Sequence, residues 1–424
     1  MELLGKKVFY QTLGCKLNFS ETSTIRHSLE KEGALTTELI EDADICVINT
    51  CSVTDVAEKK GRQIIRKIKK HNPDIHIIAV GCYAQLRPEE LNTIDGVDMV
   101  LSTKDKFKVK EYLLNSAKET GIHSCEIFSI DNFDTAFSYG DRTRCFLKIQ
   151  DGCNYFCSYC TIPYARGKSR SGTIAQVLKE VDEIAKKGIQ EIILTGVNTG
   201  EFGINNKENF YQLIQALDKR DDIARYRISS IEPNLLTDDI IKFVGNSKHF
   251  MPHFHIPLQS GNNEVLKLMK RKYDRELFAD KIDLIRKYVP DAFIGVDTIV
   301  GMRGETREYF EDAKDFIKSL DISRLHIFPY SERKGTLALQ IPHVVSQAEK
   351  HKRVNELMEI SDAKLKHFCD SFIGQKKAVL FEEGNHKGVI HGYTDNYIKI
   401  QHTFEESFTN KIKDIKITNK NILI

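Results

Sequence analysis

The sequence predicts an α/β chain in three parts: an N-terminal α/β unit, a partial (βα)6 barrel and a small all-β unit at the C-terminus. Three observations carry this. Short apolar runs alternate with helix-period stripes near the N-terminus. A second and longer strand–helix series follows a polar stretch. From about residue 372 the texture turns to short strands broken by Gly, Asn and Asp. The 424 residues are 41% hydrophobic, ample for more than one core at roughly 150 residues per domain.

In order along the chain, residues 7–10, 44–48 and 75–80 are expected as short buried strands. Between them Ala57, Gly61, Ile64, Ile65 and Ile68 recur at three- and four-residue steps, as on the buried stripe of a helix. Residues 1–120 therefore form the first α/β unit, with a mainly parallel sheet. Residues 121–141 are polar and weakly patterned, and are expected to be a linker. Over 142–371 the candidate strands are 145–149, 191–194, 226–231, 253–256, 292–300 and 324–328. The stripe Ile174, Val177, Leu178, Val181, Ile184 and Ala185 marks one of the intervening helices. Such a barrel does its chemistry at the C-terminal strand ends. Over 372–424 the expected strands are 378–381, 388–390, 397–400 and 415–417.

Lys and Arg number 62 against 60 Asp and Glu, so a globally basic nucleic-acid coat is excluded and any nucleic-acid partner must be met by local patches. No apolar run approaches the ~18 residues that span a bilayer. The start, Met1 to Lys7, has no signal-peptide core. A cytoplasmic chain is expected, and its 10 cysteines point to metal or redox chemistry rather than disulfides.

Cys153-x-x-x-Cys157-x-x-Cys160 follows the first strand of the barrel series. Three thiolates this close suit an iron–sulfur cluster. Zinc sites more often pair two Cys knuckles or add His, and neither arrangement is present. A ferredoxin-type carrier would want a fourth local Cys followed by Pro, which is absent. Three ligands leave one iron open for substrate. Cys15, Cys51 and Cys82 lie far apart in sequence, but each follows a predicted strand at one edge of a parallel sheet, where such sheets gather their sites. Pattern alone leaves these three open between a second cluster and inert buried thiols. Cys46, Cys125, Cys145 and Cys369 are read as small core or surface thiols.

The Cys153 loop, with Tyr159 as its aromatic, resembles the radical S-adenosylmethionine (SAM) enzymes. There the open iron chelates SAM, and an electron from the cluster cleaves it to methionine and a 5′-deoxyadenosyl radical. Gly14-Cys15-Lys16-Leu17-Asn18, Asn49-Thr50-Cys51-Ser52-Val53 and Gly81-Cys82-Tyr83-Ala84-Gln85 resemble the N-terminal domain of the methylthiotransferases. The resemblance implies two 4Fe–4S clusters, with the sulfur to be inserted presented at the first. It also implies SAM contacts at Tyr159, Gly196, Glu232 and Gln259. The C-terminal piece resembles the RNA-binding TRAM domain, whose barrel face would stack bases on Tyr393 and Tyr397 and meet phosphates with Lys376 and Lys377. Arg166, Arg170 and Arg333 are candidates for holding RNA or a substrate carboxylate. The Gly-Cys-Lys-Leu-Asn form and Gln150-Asp151-Gly152-Cys153 look most like the branch acting on N6-threonylcarbamoyladenosine in tRNA. The isopentenyladenosine branch usually has Gly-Cys-Gln-Met-Asn at the first of these. The expected activity is methylthiolation of C2 of that adenosine at position 37, beside the anticodon. A reductant such as a flavodoxin or ferredoxin is implied, and the sulfur donor is left open. The alternatives are isopentenyladenosine in tRNA, an aspartate of a ribosomal protein, or a non-catalytic RNA-binding iron–sulfur protein.

Overall fold

A computed structural model describes residues 2–115, 120–140, 142–384 and 387–424. Six parallel strands form the first sheet, in the order Leu35–Thr36, Lys7–Thr12, Ile45–Thr50, His76–Gly81, Val97–Leu101, Gly121–His123. Both faces are covered, so the central strands are apolar throughout. Along Ile45–Thr50, Cys46 and Ile48 enter one core while Ile45 and Val47 enter the other. The edge strands at 35 and 121 and the inner strand at 97 were not anticipated, being short or only partly apolar. Residues 121–123 pair with Met99–Leu101, and Ala136–Phe137 pairs antiparallel with the first barrel strand. The stretch is tied down at both ends by backbone hydrogen bonds, which need no hydrophobic pattern.

The six expected barrel strands are present, as Arg144–Lys148, Glu191–Thr195, Arg225–Ile228, His253–Gln259, Phe293–Val300 and Arg324–Pro329. They hydrogen-bond in parallel within two sets, 144–191–225 and 253–293–324. The seam between the sets is stitched by Tyr226 N–H to His249 O and Ile231 N–H to His255 O. Alternate residues (Cys145, Leu147, Ile192, Leu194, Phe254, Ile256) pack outward against helices such as Ile174–Ala185. By the two-residue period of a strand, Arg144, Lys148, Glu191, Arg227, His255, Asp297 and His326 face the lumen. That lumen is polar, unlike the layered aliphatic filling of a closed barrel.

Two outside elements complete the lumen. Helix Lys16–Glu30 of the first unit lies along the first barrel strand, with Phe19 edge-on to Phe146 at 5.9 Å and Arg26 donating to Tyr139 O at 2.8 Å. The C-terminal antiparallel sheet, ordered Lys399–Thr403, Val389–Thr394, Lys376–Phe381, Ile412–Lys416, closes the N-terminal end of the strands. Arg225 donates to Ala378 O (2.8 Å), Arg227 to Asp395 O (3.1 Å) and Lys377 to Asp291 (2.8 Å). Phe293 of the barrel belongs to the small sheet's own core with Val379, Phe381 and Ile400. Among the described residues no helix is long and apolar enough to cross a membrane.

Candidate active site

Cys15, Cys51 and Cys82 stand at the C-terminal ends of three adjacent strands. Cys15 caps helix Lys16–Glu30, Cys51 directly follows Ile45–Thr50, and Cys82 opens helix Cys82–Leu86. The loops are close: a Cβ placed on Gly14 would lie 3.1 Å from Cys51 Sγ. Asn18 secures them by donating to Leu13 O (2.9 Å) and Thr50 O (3.1 Å). Gly81 has φ +97, and a Cβ there would overlap Asn49 and the Thr50 carbonyl and stand 2.8 Å from Thr50 N. Gly81 has ψ -166, a backbone region held almost only by Gly, so Gly81→Ala has strain of about 1–3 kcal/mol from conformation alone, with a backbone clash in addition. The expected result is loss of iron at this site with SAM cleavage retained, checked by iron and sulfide counts after anaerobic reconstitution.

The second trio lies on the loop after the first barrel strand. Each sulfur there accepts a hydrogen bond: Cys153 from Tyr155 N–H (3.4 Å), Cys160 from Ile162 N–H (3.4 Å) and Cys157 from Arg271 (3.1 Å). Such N–H···S bonds stabilise sulfur-borne negative charge. Burial pushes the Cys160 and Cys51 thiols up to about 12, and raises Cys153, Cys157 and Cys82 as well. Thiols so desolvated stay protonated until a cationic metal core binds and displaces the proton. Among the described residues no three His, Cys, Asp or Glu side chains are arranged around a single metal ion. The all-sulfur donor sets fit iron–sulfur clusters, whose irons are usually held by cysteine.

Gln150 is a positioning residue to which no role was assigned from sequence. Its amide donates to Gly152 O (2.7 Å) and Ser169 Oγ (2.9 Å) and accepts from the Val197 and Asn198 N–H groups (both 2.9 Å). It locks the cysteine loop to the turn after the second strand. Gly196 sits on that turn, where a Cβ would come within 2.9 Å of Gln150 Oε1. Asn198 is buried with both amide atoms unpartnered, and Gln259 Oε1 is likewise buried and unpartnered. These orphaned groups are what a polar cofactor would satisfy. Gln259, with φ +65, lines a cavity of about 230 Å³ with Tyr159, Asp297 and Tyr330. Val53 and Thr54 of the first unit lie on the same wall. Glu232 pairs with Arg271; burial raises its carboxyl to about 7 against the lowering effect of that guanidinium.

The arginine candidates are corrected. Arg166 is buried and hydrogen-bonds Asn18 Oδ1 (2.6 Å), Glu21 (2.9 Å) and Asp151 (2.9 Å). Lys106 and Lys148 complete this buried ion cluster. Arg170 donates to the carbonyls of Asn132 (2.9 Å) and Arg166 (2.6 Å). Arg333 is buried against Glu58 and Ser52 (3.0 Å), the residue after Cys51. None of the three reaches outward to RNA. They are clamps: Arg166 joins the Cys160 side of one loop to the Asn18 side of the other, and Arg333 repeats the tie across the mouth. The motif contained Arg166 and Asn18 but no local pattern could pair them, since they stand 148 positions apart.

Three of the expected RNA contacts are corrected likewise. Tyr397 lies at a turn with φ +68, stacked on Tyr393 at 4.9 Å and beneath Arg227 at 4.8 Å. Arg144 covers Tyr393 at 4.4 Å. Both rings and Lys377 serve the joint between sheet and barrel, because aromatic faces next to buried guanidiniums gain more there than in water. Lys376 alone of the four remains at the surface, near Asp414. Cys46, Cys145 and Cys369 are buried in apolar cores, and Cys125 is partly buried beside Gln85.

Residues 147–317 match the family model of the radical SAM superfamily, and 7–102 that of uncharacterized protein family UPF0004. The chain is 39% identical to the threonylcarbamoyladenosine tRNA methylthiotransferase MtaB of Bacillus subtilis, over 97% of this chain and 93% of that protein. The Aquifex aeolicus protein of the same name is 36% identical over 93% and 96%. The tRNA-2-methylthio-N(6)-dimethylallyladenosine synthase of Clostridium tetani is 32% identical over 97% and 93%. Among solved structures, the radical SAM methyltransferase TsrM of Kitasatospora setae superposes with a TM-score of 0.56 at 15% identity, covering 76% of this chain and 73% of that one, a likeness of fold alone. Two cysteine trios on units tied together by Arg166 and Arg333, with relatives matched along nearly the whole chain, lead to one conclusion: the chain belongs to the family of radical SAM tRNA methylthiotransferases.

Proposed function

We propose that the protein methylthiolates C2 of N6-threonylcarbamoyladenosine at position 37 of tRNA, in the cytoplasm, drawing electrons from a small reductant such as a flavodoxin or ferredoxin. One observation carries the chemistry: Asn18 and Arg166 join the Cys15/Cys51/Cys82 site rigidly to the Cys153/Cys157/Cys160 site. The relatives of 33–39% identity that bear the threonylcarbamoyladenosine name support the substrate.

An aromatic C–H has no usable acidity, so acid–base catalysis cannot reach it. When bound, SAM and the 4Fe–4S clusters supply the radical and sulfur chemistry that such a bond demands. The chain's own residues bind and orient. The six cysteines would hold the two clusters. Gln150 fixes the turn at Gly196, where Asn198 offers an unpaired amide. Glu232 and Gln259 would face the cofactor from the third and fourth strands, and Tyr159 packs the loop from within. Arg271, donating to Cys157 Sγ, sets the polarity around that sulfur. The C-terminal sheet, in this reading a TRAM-like domain, offers RNA its outer face, with Lys376 exposed.

The test is anaerobic reconstitution, then incubation with SAM, dithionite and tRNA bearing threonylcarbamoyladenosine, followed by nucleoside mass analysis. A gain of one methylthio group in exchange for hydrogen is expected. Methylthiolation of isopentenyladenosine tRNA or of a ribosomal protein in its place would redirect the substrate. Absence of 5′-deoxyadenosine would leave only an RNA-binding iron–sulfur protein.

A further inference from the structure

A second cavity, of about 220 Å³, adjoins the cysteine loop and has no part in the chemistry above. Cys157 and Cys160 line it, together with Phe156, Tyr164, Lys270 and Leu337. The two cysteines bring the candidate cluster site to within one side chain of solvent. Three segments build the cavity, and Ser158, between those cysteines, joins them. Its N–H donates to Met269 O (3.0 Å) and its Oγ to Leu268 O (2.7 Å), fixing the turn that carries Lys270. Its carbonyl accepts from Ala338 N–H (2.8 Å), fixing the segment that carries Leu337.

Apolar surface collects at this place. Phe156, Tyr164 and Leu337 are 38%, 42% and 43% exposed. Phe156 has φ +51, a conformation that bulky residues rarely adopt. Its ring stands 6.1 Å from Tyr164 and 6.2 Å from Phe128, and those two are 6.0 Å apart. Large apolar groups gathered at a surface mark a protein interface. Cations flank the rings. Lys272, after Lys270, lies over Tyr155 at 4.1 Å, and Lys168 follows the helix Ile162–Arg166 that bears Tyr164. All three lysines are exposed, and among the described residues their ammoniums make no hydrogen bond or ion pair.

We propose that this face docks a flavodoxin, which delivers its electron to the cluster site at Cys157 and Cys160. The inference rests on the small-reductant reading above and gives that reductant its place. Electron transfer falls steeply with distance, so a donor must seat where ligand residues reach the surface. An apolar centre with a basic rim fits the exposed dimethylbenzene edge of a flavin framed by carboxylates. The face is small, as transient redox contacts are. One electron leaves the anionic flavin hydroquinone, oxidising it by one step, and reduces the cluster by one. No bond forms or breaks, and no proton moves.

The test sets two reductants against the anaerobically reconstituted protein and two double variants, Tyr164→Glu/Leu337→Glu and Lys270→Glu/Lys272→Glu. With dithionite, which needs no docking site, both variants are expected to form 5′-deoxyadenosine at the wild-type rate. With flavodoxin hydroquinone their rate falls roughly tenfold or more, and the wild-type rate falls as salt is raised. A variant that flavodoxin still reduces at the wild-type rate overturns the proposal. So does one slowed equally by both reductants, because its defect then lies in the site itself. Lost affinity for tRNA anticodon stem-loops, with flavodoxin reduction intact, would assign the face to RNA and overturn it too. Carbodiimide cross-linking of flavodoxin to the wild type requires neither a variant nor turnover. Peptide mapping should find the bonds on Lys270, Lys272 or Lys168, and bonds elsewhere, or none, count against it. A wild type active with dithionite but not with flavodoxin faults this inference alone. One that makes no 5′-deoxyadenosine with either faults the catalytic reading, and the docking face falls with it.

Discussion

Cys157→Ala is expected to abolish 5′-deoxyadenosine formation while the chain keeps about half of its iron, each site counting as one four-iron cluster. The loss is complete rather than graded because the residue supplies one of only three thiolates on its loop. The substitution also strips Arg271 of its sulfur acceptor and leaves that guanidinium, paired with Glu232, against an empty corner. The fold should hold. The loop's backbone is fastened independently by Gln150 and by Cys153 N–H to Gly167 O (3.1 Å). Iron and sulfide counts with mass detection of the nucleoside decide it. Continued SAM cleavage would show that the loop is not the cofactor's anchor.

Glu21→Gln is expected to loosen the whole joint between the first unit and the barrel. Glu21 is fully buried, with Lys106 at 2.5 Å, Arg166 at 2.9 Å and Lys148 at 3.4 Å. Burial alone would raise its carboxyl. The three cations outweigh this and hold it at about 2, below its ordinary 4.5. Neutralising one member of such a cluster leaves buried charge uncompensated, at about 3–5 kcal/mol. The transition that parts the two units should then fall by on the order of 10 °C. The pH dependence has a definite sign. A carboxyl depressed on folding contributes stability that is full above 4.5 and is lost as pH falls toward 2. The wild type should therefore lose its joint over that acid window, and the variant should lack that part of the slope. Calorimetry between pH 6 and pH 3 measures both. An unchanged melting profile would mean that the cluster spans the joint without holding it.

The strands of the first unit and of the barrel, and the cysteine loops, show where local sequence sufficed and where it did not. The central strands were legible because burial on both faces demands unbroken aliphatic runs, as at Ile45–Thr50. The barrel strands were legible for a related reason, since their outward faces must bury against helices. The short edge strands at 35 and 121 were not, because pairing by backbone leaves little mark on side chains.

The cysteine trio at 153–160 could be read directly, because the spacing that holds a cluster is itself a local property of the chain. The first trio could be placed only by supposing adjacent strand ends, and the fold sets those strands side by side. What each arginine and tyrosine does was decided by tertiary structure alone. Arg166 meets Glu21 across 145 positions, Arg333 meets Glu58 across 275, and Tyr397 meets Arg144 across 253. A cation on the sequence page is equally a hook for phosphate or half of a buried pair. Which of these it becomes depends on whether folding brings an anion to it, as it does for Arg166 and Arg333.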